Sequence, residues 1–123
     1  MIYRRQYRMG KKDKVKTVKF AVFNDYKVKI VLTRDLDKAL LSFKHTADVE
    51  SGGETTGGIT VHVDCERLSY IFIPYGSSTG SMAHEAYHAV QRMLKNCSIE
   101  LKNEVVAYHL GYLMNEIVDL ALQ

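Results

Sequence analysis

Ala83-His84-Glu85-Ala86-Tyr87-His88-Ala89-Val90 carries the spacing HExxH, and Glu104 follows sixteen residues after its second histidine. On an α-helix, residues four apart stack on one face, so His84 and His88 can aim two imidazoles at one metal ion. Two imidazoles, a carboxylate and a remaining water make the usual donor set of catalytic zinc, so Zn²⁺ is the expected cofactor. Glu85, about 100° round the helix, is placed to take a proton from that water as it attacks an amide carbonyl, and to hand it on to the leaving amine. Glu104 is the first choice for the third ligand, with His62 in reserve. The oxyanion needs a further donor, for which Tyr108 is the candidate and Tyr75 and His109 the alternatives.

These residues need a scaffold, and the pattern predicts an α+β fold with a small, mostly antiparallel sheet of about four strands. Val15 to Phe23 and Tyr26 to Leu32 read as a hairpin turning at Asn24-Asp25, its lysines forming a solvated face. Thr33 is placed to cap a helix whose stripe is Leu36, Ala39, Leu40 and Phe43. Residues 45 to 58, with two glycine pairs, read as a connecting loop, or in the functional version as a flap over a cleft. Ile59 to Asp64 and Leu68 to Ile73 form a second hairpin turning at Cys65-Glu66-Arg67, which leaves His62 beside Thr60 and Asp64 on a surface face.

The motif helix is expected to run from the loop at residues 75 to 81 to about Lys95, burying Met82, Ala86, Ala89, Val90 and Met93. The last helix, Leu101 to Leu122, is apolar nearly all round and so is expected to be central. Glu104, Ala107, Tyr108 and Gly111 share one side of it, the small residues letting the motif helix approach. A glutamate turned inward there would need a cation, because an unpaired buried carboxylate is unfavourable. Strictly antiparallel helices would set Glu104 level with Arg92, below His88, so the connection must climb or the helices must cross steeply.

The order of elements resembles a minimal gluzincin-type zincin. Glu104-Val-Val-Ala107-Tyr108-His-Leu-Gly111-Tyr112-Leu113 is similar to the E-x-x-A-Y-x-x-G-[WY]-L stretch of small zinc peptidases encoded by bacteriophages and mobile elements. Its ExxA portion is similar to that of ImmA/IrrE-like peptidases, which cleave phage-type repressors. The resemblance is specific over residues 79 to 113. It implies a peptide or protein substrate, lying extended along the edge strand at Ile59 to Asp64.

The 123 residues, 46% hydrophobic and 25% charged, suit one soluble domain spanning residues 1 to 123. No apolar run is long enough to span a bilayer, and the basic start does not lead into a signal-peptide core, which points to the cytoplasm. Cys65 and Cys97 read as reduced thiols, with a disulfide between them as the alternative. Net charge is +3, and residues 1 to 19 hold eight of the seventeen basic residues against one acid, Asp13. A basic arm at residues 1 to 14 reads as a solvated terminus, with contact to nucleic acid as the less favoured alternative. The expected function is therefore a zinc metallopeptidase. Two other classes stand beside it: a zincin-fold binding module whose zinc is structural or whose activity is lost, and a nucleic-acid-binding accessory protein using the arm.

Overall fold

A computed structural model describes residues 13–41, 48–51 and 57–123, with the backbone alone at residues 41 and 48–51. Strands β1 (Lys14–Phe20), β2 (Tyr26–Thr33), β3 (Asp48–Ser51), β4 (Ile59–Val63) and β5 (Leu68–Pro74) are joined with helices α1 (Leu36–Leu41), α2 (Thr79–Asn96) and α3 (Asn103–Leu122). Most of the basic arm, Phe43, His45 and the tip of the expected flap lie outside the described residues.

The fold is α+β with a five-stranded mixed sheet, ordered β1-β2-β5-β4-β3. Both expected hairpins form. The first strand stops at Phe20, short of the expected Phe23, and a 3₁₀ turn at Ala21–Phe23 followed by Asn24 and Asp25 at φ of 58° and 60° leads back to Tyr26, while Arg67 closes the second turn at φ 52°. The two hairpins are then joined by a parallel β2–β5 ladder that pairs Lys27 with Leu68 and Thr33 with Pro74. Strand β3 is the addition to the four expected strands. It lies within the segment read as loop and pairs antiparallel with β4, Asp48 opposite His62 and Glu50 opposite Thr60.

That pairing overturns one expectation, since β4 is hydrogen-bonded to β5 on one side and β3 on the other. Ile59 to Asp64 is thus an inner strand, with no open edge for a peptide. The edges among the described strands are β1 and β3.

Alternation divides the core between the two faces of the sheet. One face carries Tyr26, Val28, Ile30, Ile71 and Ile73 against α2 and α3. The other carries Val31, Val61, Tyr70 and Phe72 against Ala39 of α1. Burial of each such side chain contributes ~1.5–3 kcal/mol, so the β2–β5 centre, covered on both faces, anchors the molecule. The cap of α1 is one place where the backbone differs from expectation. Strand β2 runs through Thr33 to complete its ladder, so the helix starts later, with the Lys38 amide donating to Asp35 Oδ1 at 3.0 Å.

Helix α2 matches its expected span and buried side, capped by Ser78, whose hydroxyl accepts from the Ser81 amide at 3.1 Å. Helix α3 does not take the central place predicted for it: Leu113, Ile117 and Leu120 are buried, while Glu104, Ala107, Tyr108 and Gly111 are exposed. It packs on α2 and β1 instead, and Lys16 of β1 ion-pairs with its Glu116. The remaining hairpin lysines at 19, 27 and 29 do line the solvent side, Lys29 resting over the Tyr70 ring. No helix among the described residues is long and apolar enough to cross a membrane.

Candidate functional site

Helix α2 brings His84 and His88 together. Their rings meet edge-on with centroids 4.7 Å apart, and the two Nε2 atoms face each other at 3.2 Å. Two lone pairs at that separation repel, so the gap must hold either one ring's N–H or a cation. Two nitrogens bound to one tetrahedral zinc lie about 3.3 Å apart, given Zn–N bonds of ~2.0–2.1 Å. The separation of the pair is therefore that of two ligands on one ion, and equally that of an N–H···N hydrogen bond between the rings.

Glu85, next to His84 on the helix, is held in the interface between α2 and β4. It is 2% exposed, and its Oε1 accepts a hydrogen bond of 2.6 Å from the hydroxyl of Thr60, itself fully buried. The same hydroxyl lies 3.2 Å from the Glu85 carbonyl oxygen. Two turns along α2, Arg92 donates to Asp64 Oδ2 at 2.7 Å. Thr60 in β4 and Asp64, the residue just after it, are four residues apart, a reach of ~13 Å; Glu85 and Arg92 are seven apart on α2, ~10 Å. Strand and helix thus run in the same direction and are pinned together twice.

Between the pins lies His62, 1% exposed, with Nδ1 2.8 Å from Ser69 Oγ. Ser69 Oγ is in turn 2.8 Å from the Tyr26 hydroxyl, so a buried polar chain crosses from β4 through β5 to β2. Burial pushes the Tyr26 phenol up to about 12, against the opposing hydrogen bond to Ser69, and it stays un-ionised. His62 is therefore not the surface residue expected. With α2 above it and β3 beyond it, its strand is interior.

The third expected ligand is not brought to the pair. Taking 100° per residue, Arg92 projects within about 20° of Glu85, and His88 and His84 lie about 60° and 100° further round the same way. Val90 and Leu94 lie on the other flank. Since α3 packs on α2 and β1, and β1 is at the far end of the sheet from β4, α3 must lie on that apolar flank. Glu104, exposed in the first turn of α3, is consequently on the opposite side of α2 from the histidines. Its predicted inward position is overturned, and with it the argument that a cation must neutralise it. Gly111 also makes no close approach, because a Cβ built there meets nothing within 4 Å.

Among the described residues no group of three His, Cys, Asp or Glu could hold a metal. The element on the histidine side of the sheet is β3, where Asp48 and Glu50 stand in register with His62 and Thr60.

The oxyanion candidates fare differently from one another. Tyr108 is 73% exposed on α3, its ring edge-on to His109. His109 is wedged against Phe23 at 4.8 Å and Phe20 at 6.1 Å, and desolvation there lowers its pKa. Tyr75 follows β5 with Arg34 over its ring at 5.2 Å, at the end of the sheet from which α2 departs. Both cysteines are free thiols, and Cys97 Sγ donates to the Phe23 carbonyl at 3.4 Å.

Two residues that contribute to the site were not singled out from sequence. Thr60 could have been noticed as one of three polar residues on a single face of an otherwise apolar strand. Gly58 has φ of +134°, and a Cβ there would come within 2.7 Å of the Phe72 carbonyl and 3.2 Å of Glu85 Cγ. The loop before β4 is thereby pressed down on the glutamate. Matched against family models, curated proteins and solved structures, the chain finds no counterpart in any of the three.

Proposed function

We propose that the protein is a zinc-dependent peptidase of the cytoplasm, with His84 and His88 as ligands and Glu85 as general base. The observation that carries the reading is the 3.2 Å separation of the two Nε2 atoms, the spacing of two ligands on one tetrahedral ion. The HExxH order supports it, since the residue between the two imidazoles is the one titratable side chain that α2 holds buried. When bound, zinc supplies a Lewis acid that brings the pKa of water down towards ~7 and polarises a carbonyl.

The remaining work falls to the chain. Glu85 takes a proton from water as the water oxygen bonds to the carbonyl carbon, and returns it to the amide nitrogen as the C–N bond breaks. The two imidazoles would hold the ion through their Nε2 atoms. Because α3 packs on the other flank of α2, a third protein ligand is to be sought on the β4 side and not on α3.

The test combines metal analysis with cleavage of a peptide library. Wild type is expected to bind one zinc and to cleave. The Glu85→Gln variant should keep the zinc and lose at least about 100-fold in kcat. A wild-type protein without affinity for zinc would overturn the reading. Zinc retained with no cleavage of any peptide would favour a binding module instead.

A further inference from the structure

We infer that Thr60 is the positioning residue of the general base: its hydroxyl holds the Glu85 carboxylate through Oε1 and leaves Oε2 to receive the proton. The inference rests on the peptidase reading above and extends it to a strand residue outside the HExxH motif.

Three observations converge. The first is the bond itself, at 2.6 Å between partners that are 0% and 2% exposed. Charge-assisted hydrogen bonds of this kind are the strong ones, because the carboxylate has lost most of its water. The second is the backbone of Gly58, close enough to Glu85 that even a methyl group would touch its Cγ. Thr60 and Gly58 therefore hold the side chain from two sides of the same strand start. The third is the second contact between the same two segments, Arg92 to Asp64, which is made with α2 in the rotation that sets Glu85 against Thr60.

An isolated glutamate on a helix samples several rotamers. One clamped at Oε1 has a single orientation, with its second oxygen displaced to a defined place. Rates of proton transfer fall steeply when such a group is misplaced by even ~1 Å. The hydroxyl contributes through orientation, and touches neither the substrate nor the metal.

Thr60→Val removes the hydroxyl and keeps the shape; Thr60→Ser keeps the hydroxyl. Thr60→Val is expected to retain zinc at the wild-type stoichiometry and to lose about 10- to 100-fold in kcat with KM unchanged. Thr60→Ser should stay within about threefold of wild type, as orientation by the hydroxyl requires. Wild-type kcat in Thr60→Val overturns the proposal, as does a loss that Thr60→Ser fails to rescue.

A second readout does not depend on turnover. In metal-free protein labelled with ¹³C at glutamate carboxyls, the Glu85 resonance, assigned by its absence in Glu85→Gln, should move in Thr60→Val and hold in Thr60→Ser. Resonances identical in all three proteins would show that the contact is not made. If the spectra behave as expected while no peptide is cleaved by wild type, the peptidase reading fails and the clamp stands as a structural contact.

Discussion

The two flanks of α2 are built from one stretch of eighteen residues and do opposite work. Towards α3, Val90, Met93 and Leu94 meet Leu113 and Ile117 in a continuous apolar core. Towards β4, Glu85 and Arg92 reach Thr60 and Asp64, and the histidine pair lies just outside them. The apolar flank fixes where the helix is. The polar flank fixes how it is rotated, and a site made of side chains four residues apart depends on rotation as much as on position.

Breaking each flank in turn separates the two roles. His84→Ala should weaken zinc binding by more than about 100-fold while leaving the fold intact, measured by metal titration beside a thermal melt. Met93→Ala opens a cavity in the apolar flank and should destabilise by ~2–5 kcal/mol, lowering Tm by about 10 °C, with zinc affinity in the folded protein unchanged. A loss of zinc affinity as large as that of His84→Ala would mean that the flanks are not separable.

Arg92→Gln removes an ion pair whose partners are partly exposed, 25% and 45% at the side chain, so its effect on stability should be within ~1 kcal/mol by denaturant titration. The smallest effect is expected from Glu104→Gln, which should leave both zinc affinity and Tm at wild-type values. A Glu104→Gln variant that loses zinc as His84→Ala does would return the third ligand to α3 and refute the placement of the site on the β4 side.

Legibility followed the range of the interaction. The turns at Asn24-Asp25 and Arg67, the span of α2 and its buried residues from Met82 to Met93 depend on neighbours within a few positions, and periodicity exposes them. The meeting of His84 and His88 is of the same kind, one helical turn. The parallel union of β2 with β5 is not, because no local pattern in Tyr26 to Thr33 names a partner forty residues away.

That union decides the rest. It makes β4 an inner strand once β3 adds to it, and so buries His62. It also sends α3 to the β1 side, leaving Glu104 exposed. The all-round apolar character of α3 misled for a related reason: Tyr108 and Tyr112 are hydrophobic by composition yet stand 73% and 46% exposed. A helical wheel records which residues share a face and not which face finds a neighbour.

The β2–β5 ladder also sets the order in which the molecule can assemble. Each hairpin closes over a short turn and can form early, whereas the ladder has to wait until α1, β3 and β4 have been threaded between its two strands. Helix α2 follows β5 directly, so its contacts with Thr60 and Asp64 lie within residues 59–96 and do not wait for that late step, whereas its packing with α3 against β1 does. Amide exchange should accordingly find the slowest protons at the centre of β2 and β5, and a cation held by the finished site would raise the barrier to its coming apart.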